Sequence, residues 1–316
     1  MFAFIVTRVA VGAGLVLLVL TLIFAALHLV PGDPAVLLLS RGDGTAPSQA
    51  AVDALRGQLG LNQPLVAQYW NFLIGVVTGD LGTSFRTHEA VVASIAGRLP
   101  RTLELVVFAT LLSIAVGIPL GTLAARRRGA VDTTISTLTS IGVALPVFVF
   151  GSVLVLAFSI WLGWLPAGGF TAWNQDPVAH LKGLILPGVA LAVGFSAIIA
   201  RMTRSSVQEV MNQDWVRTAK SFGLSPFRVL RRHVLRNALT PIVTVVGLGF
   251  GVLLGSTVLV ERVFNYPGLS SLLVESVSTR DYPVVQGIVI VIAVMFISIN
   301  IVVDVLYGFL DPRVRR

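Results

Sequence analysis

The chain has 316 residues, of which 55% are hydrophobic and only 12% charged, with a formal net charge of +8. A mean hydropathy of +0.88, with a charged fraction about half that of soluble domains, excludes a water-soluble globule. No cysteine occurs, which removes disulfides, thiolate nucleophiles and cysteine metal sites, and the four histidines (His28, His88, His180, His233) stand without ligand spacing.

Residues 4–29 form an apolar run long enough to cross a hydrocarbon core. Arg8 stands near its start, as in a signal peptide, but the run is too long for a signal core and lacks a small-x-small cleavage site, so it is read as a first span with its N-terminus inside. Residues 31–100 hold no span. They contain two capped helical patterns, Ser48 to Gly60 and Asn62 to Gly79, with near-neutral charge, which suits an external insertion. Gly79, Asp80 and Gly82 read as turn chemistry.

A second span is expected over 102–125, broken by Pro119 between Gly117 and Gly121, a small-xxx-small pair that would let a neighbouring helix approach closely. Arg126, Arg127 and Arg128 mark its inner end. The third span, 135–161, should kink at Pro146, and Trp161, Trp164 and Trp173 stand where an aromatic belt belongs. The fourth is 183–200. The fifth, 241–260, carries Gly247, Gly251 and Gly255 four apart, and the sixth covers 284–310. Between the last two, 261–283 is too polar for lipid and too short for a domain. Its helix breakers are tolerated at that depth only where protein or water satisfies the backbone, which points to a re-entrant or gate segment, with a plain capped loop as the other reading.

One polar stretch, Arg201 to Asn237, organises the rest. Val207, Val210, Met211, Trp215, Ala219 and Phe222 recur at three- and four-residue steps, giving a helix with one apolar face. Gly223 is its expected left-handed stop, and Ser225 followed by Pro226 is an N-cap and first position for a second helix. Eight Lys or Arg against Glu209 and Asp214 hold this loop on the cytoplasmic side. Over the six-span layout the inner segments carry +10 and the outer ones −2. A helix, a turn and a basic helix also fit a DNA-binding module, but spans on both sides keep the element at the bilayer surface, so no nucleic-acid partner is expected.

The residues 214–226, DWVRTAKSFGLSP, followed by RRHVLRNAL at 231–239, resemble the cytoplasmic loop of permease subunits of bacterial ABC importers. HLVPGDP at 28–34, LGLNQPLVAQYWNFL at 59–73 and GDLGTSF at 79–85 resemble the opening segments of the dipeptide, oligopeptide and nickel type, specifically the first-named permease of the pair. Glu261, Val263, Phe264, Pro267, Gly268 and Leu269 match that family's outer loop. Asp304, Tyr307, Asp311, Pro312 and Arg313 match its C-terminal end. The glutamate usual before the coupling alanine is absent, since Arg217 and Thr218 stand there.

The resemblance implies an all-α membrane protein forming a single permease domain over 1–316, with six transmembrane helices, a cytoplasmic coupling helix, both termini cytoplasmic and an external helical segment after the first span. It would sit in the bacterial inner membrane and form half of a pathway for short peptides or similar ligands. The implied partners are a second related permease, two ATPase subunits or one two-domain ATPase, an extracellular substrate-binding protein and membrane lipid. The chain itself would be non-catalytic and bind no cofactor. It holds no G-x-x-x-x-G-K-[ST] phosphate cradle, so ATP and Mg belong on the partner subunits. Asp214, Trp215, Arg217, Thr218, Ala219, Phe222, Gly223 and Leu224 are the expected ATPase-coupling residues. Ser256, Thr257, Glu261, Phe264, Asn300 and Asp304, polar or loop positions in and after the last two spans, are the expected pathway or gate residues. The rival reading, a secondary transporter driven by an ion gradient, would need intramembrane acidic residues and usually an inverted repeat, and neither is evident.

Overall fold

Apolar segments in a bilayer must make their backbone hydrogen bonds internally, and this chain does so with helices. The computed structural model describes residues 2–29, 36, 48–58, 61–127 and 129–310. Of the motif residues above, 30–34, 59–60, Arg128, Asp311, Pro312 and Arg313 lie outside the described residues.

The helices are α1 (Phe2–Leu29), α2 (Gln49–Gln58), α3 (Leu65–Thr78), α4 (Val91–Arg126), α5 (Ala130–Ala144), α6 (Val147–Trp161), α7 (Pro177–Met211), α8 (Asp214–Ser221), α9 (Pro226–Val263), α10 (Leu269–Ser278) and α11 (Tyr282–Leu310). Among the described residues five stretches are long and apolar enough to cross a membrane: Ile5–Ala26, Val91–Arg126, Pro177–Met211, Pro226–Val263 and Tyr282–Val305. The pair α5 and α6 becomes a sixth if it is one span.

Several boundaries differ from the sequence expectation. The helix expected at 102–125 begins at Val91 and runs unbroken through both Pro100 and Pro119. Close packing explains its survival. Where a Cβ on Gly117 would stand lie the Ser196 carbonyl and the Ile199 side chain, and on Gly121 the Ala200 carbonyl and Thr203. The small-residue pair therefore does bring α4 and α7 into backbone contact, and such contact steadies a helix whose Pro119 lacks a donor. Pro146 does more than kink. Leu145, just before it, is extended (φ −73°, ψ 121°), so α5 stops at Ala144 and α6 restarts at Val147, 102° away. The residue before a proline is pushed out of the helical region. The short helix expected after Ser225 is not separate: Pro226–Val263 is one helix, loosened to π-type winding over Val229–Val234 and passing Pro241.

The expected single permease domain over 1–316 divides into two compact units. The first comprises Met1–Arg8, Arg98–Leu272 and Ser298–Arg316. At its centre is α7, which packs against α5, α6 and α9. Glycines set these distances: the Phe108 ring fills the place of a Gly188 side chain, the Phe195 ring that of Gly249, and Val303 that of Gly247. A forked ion pair, Arg204 to Asp132 at 2.5 and 2.7 Å, ties α7 to the start of α5.

The second unit comprises Val9–Gly97 and Leu273–Ile297. Here Phe24 of α1 meets Tyr69 and Phe72 of α3 with ring centroids 5.2 and 5.8 Å apart. Gly79 ends α3 at φ +80°, and Asp80 accepts from the Gly82 N–H at 3.0 Å, the turn read in the sequence. Asp281, buried, accepts from the Ser84 hydroxyl (2.6 Å) and the Phe85 N–H (3.1 Å), and Arg86 pairs with Glu275.

Candidate coupling and pathway sites

The loop between α7 and α9 carries its own small core. Val216 of α8, fully buried, packs with Ala125, Val207, Val229, Leu230, Val234 and Ala238, while Met211, Ala219 and Leu224 close the edges. Apolar contact inside a polar loop makes the turn a rigid body rather than a tether.

This core corrects the sequence register. One helix was expected from Val207 to Phe222, but α7 ends at Met211 and the chain turns through Asn212 and Gln213 before α8 begins. The turn resets the helical phase. Val216 points inward, and Trp215 (39% exposed) and Phe222 (82%) point outward. Ala219 and Leu224 pack partly against the loop's own core and are half-buried. Asp214, Arg217, Thr218 and Gly223 are exposed; Arg217 and Asp214 pair at 3.6 Å across a solvated face, where such a pair contributes little.

Gly223 has φ +76°, and Leu224 N–H reaches the Ala219 carbonyl at 3.4 Å, the left-handed stop expected. No atom lies within 4 Å of the place a Gly223 side chain would occupy. Ser225 makes no side-chain cap, contrary to expectation; its carbonyl accepts from Val229 N–H instead. Phe227, 62% exposed, is an outward aromatic that sequence reading missed. Its position two residues after the serine, directly following Pro226, was the available signal.

The expected gate residues behave differently. Glu261 is fully buried at the end of α9. Its carboxylate accepts from the Thr102 hydroxyl (2.7 Å) and from the Ser271 N–H (2.8 Å), and Thr102 in turn accepts from the Leu269 N–H (2.7 Å). Glu261 and Thr102 thus satisfy first-turn donors of α10, where a negative charge is favoured. Gly268 lies under both side chains and leaves no room for a Cβ.

Phe264 is buried too. Its ring lies against Gly151, and its carbonyl accepts from Gly169 N–H at 2.9 Å. Arg101 donates to the Pro267 carbonyl (3.2 Å) and stacks 4.5 Å over Phe170, whose ring meets Tyr266 edge-on. Burial pushes the Tyr266 phenol above its usual range, with the Glu104 and Glu261 carboxylates adding to it, so it remains a neutral hydroxyl. His180 sits between the Thr171 carbonyl (2.7 Å) and the Glu104 carboxylate (2.5 Å). Glu261 and Phe264 are therefore both buried in a hydrogen-bonded corner at the end of α9. Thr102, Arg101, Glu104 and His180 escaped the sequence reading because their partners lie far along the chain.

Of the remaining candidates, Thr257 is buried against Ser270 (2.8 Å), and Ser256 donates to the Val252 carbonyl of its own helix. Asp304 pairs with Arg8 at 3.3 Å, and Asn300 is half-buried and bonded. Gly255 faces open space, whereas Gly247 is packed.

Fold and sites together define the class: a multi-pass, all-helical membrane protein with a rigid, aromatic-tipped turn between two of its long helices. The chain belongs to the family described as binding-protein-dependent transport system inner membrane component, whose model matches residues 117–316, and the N-terminal model of the same systems matches residues 1–106. A Brucella abortus permease assigned to a peptide transport system is 42% identical over 316 residues, covering 100% of this chain and 99% of that protein. The glutathione transport system permease protein GsiC of Salmonella choleraesuis is 41% identical over 300 residues, covering 95% of this chain and 94% of that protein. Among solved structures, an inward-facing MetNI methionine ABC transporter matches with TM-score 0.59 and 17% identity, covering 69% of this chain and 96% of that one. An amino acid ABC transporter with histidines matches at 0.54 and 18%, covering 69% and 94%. This chain is accordingly a non-catalytic, multi-pass inner-membrane permease subunit of an ABC importer, working in a complex whose ATPase is another polypeptide. An ion-gradient transporter finds no support.

Proposed function

We propose that this permease forms half of an import pathway for short peptides or peptide-like ligands such as glutathione. Its similarity along nearly its whole length to permeases of peptide and glutathione transport systems supports this cargo class. It pairs with a second, related permease, takes cargo from an external binding protein and is driven by two ATPase subunits that hold ATP and Mg, while the chain itself binds no cofactor. Both termini and the 201–237 turn lie in the cytoplasm, and the helices of residues 48–78 lie outside.

The observation that carries the coupling role is the turn's construction: Val216, Val229 and Leu230 make it stiff, while Trp215, Phe222 and Phe227 remain free at its tip. A stiff body can transmit displacement, and exposed aromatics are the usual anchors of a protein contact. Asp214, Arg217, Thr218 and Gly223 form the rim. ATP-driven approach of the ATPases moves two such tips together and opens the pathway outward, and hydrolysis resets it. Within the pathway Ser256, Asn300 and Asp304 remain the candidates for polar contact with cargo.

The test is competition uptake in cells lacking other peptide importers. Labelled di- and tripeptides and glutathione should enter only with this chain present. Uptake unaffected by its deletion would refute the cargo assignment, and ATPase turnover by the isolated chain would refute the division of labour.

A further inference from the structure

Helix α3 (Leu65–Thr78) carries no charged residue, and none of its side chains is buried. Its polar residues Gln68, Tyr69, Asn71 and Thr78 are nonetheless engaged. Gln68 donates to the Leu61 and Gln63 carbonyls and meets His28 Nε2, the Tyr69 hydroxyl meets Thr21 (2.7 Å), Asn71 donates to Gln63, and Thr78 bonds back to Ile74. Beyond Leu65 at its first position, the exposed apolar side chains form one stripe at helical spacing, Val66, Trp70, Ile74 and Val77.

The anchoring contacts fix the depth of this stripe. Tyr69 and Phe72 lie against Thr21 and Phe24, inside the 22-residue apolar span of α1, and Gln68 lies at His28, just beyond it. Fourteen residues reach about 21 Å, short of the ~30 Å hydrocarbon core. The flank of α1 beside these contacts is itself free and apolar at Leu18 and Leu22.

We propose that α3 is an interfacial helix whose Val66–Trp70–Ile74–Val77 stripe is covered by phospholipid acyl chains, as a continuation of the lipid-facing surface of α1. A protein partner would meet a face whose single polar group is the Trp70 indole N–H, whereas protein interfaces carry about one hydrogen bond per 100–200 Å². Lipid tails need none. Trp70, amphipathic and midway along the stripe, is the residue type enriched at that boundary.

Because the chain has no cysteine, Val66→Cys, Trp70→Cys, Ile74→Cys and Val77→Cys each give it one spin-labelling site, the purified chain being labelled before the partner subunits are added, with Asn62→Cys as an aqueous control. They are measured in the complete transporter in phosphatidylethanolamine and phosphatidylglycerol liposomes, using only variants that retain uptake. The four stripe labels should collide with oxygen several-fold more than with a water-soluble nickel chelate, and Asn62 should show the reverse. Stripe labels that favour the nickel chelate would make α3 a water-facing helix and overturn the proposal. Labels shielded from both reagents would assign the stripe to a protein partner and overturn it equally.

Discussion

Two polar segments follow long helices in this chain, 201–237 and 261–272, and they use their side chains in opposite ways. The first buries its small aliphatics and leaves Trp215, Phe222 and Phe227 outside; the second buries its carboxylate, its phenylalanine and its tyrosine and leaves almost nothing free. One segment is finished as a module and incomplete as a surface. The other is complete in itself. The contrast separates residues that hold a permease together from residues available to a partner, and mutation should reveal it as two different phenotypes.

The largest effect is expected at Glu261. Replacing it with alanine strands the Thr102 hydroxyl and the Ser271 N–H in a dry site, at about 1–3 kcal/mol for each unsatisfied group. Thermal unfolding of the purified chain should drop sharply for Glu261→Ala and less for Glu261→Gln. An unchanged melting temperature would place Glu261 in an open gate after all. Next comes Gly268→Ala, which must displace the Glu261 carboxylate or Thr102 and should cost about 1–3 kcal/mol by overpacking, read in the same assay.

Val216→Ala, in the loop core, should cost about 1–2 kcal/mol from the lost burial of two methyl groups and the cavity left behind. It should loosen the coupling turn, seen as faster proteolysis within 201–237. Smallest in stability is Phe222→Ser, whose exposed ring leaves the fold within about 0.5 kcal/mol of the parent, yet peptide uptake should fall at least tenfold. Normal uptake in Phe222→Ser and a melting temperature matching that of Val216→Ala would erase the distinction between the two segments.

Much of this was legible in the sequence. The apolar runs, the Gly117 and Gly121 contact, the Gly223 stop and the Gly79–Asp80–Gly82 turn all follow from local chemistry, which a single sequence displays. The failures share a cause. A two-residue turn at Asn212 and Gln213 rephased the following helix, exchanging Val216 for Ala219 as the buried position, and periodicity cannot see a break that carries neither glycine nor proline. The Glu261 clasp needs Thr102, 159 positions away, and no local pattern reports such a pairing.

The most direct measurement uses a single cysteine at Phe222 in this otherwise cysteine-free chain, treated with a short bifunctional reagent in membranes containing the whole transporter. The account predicts a covalent adduct between this chain and the ATPase subunit that changes in yield on adding ATP. An adduct with the external binding protein, or none with the ATPase in any nucleotide state, would contradict it.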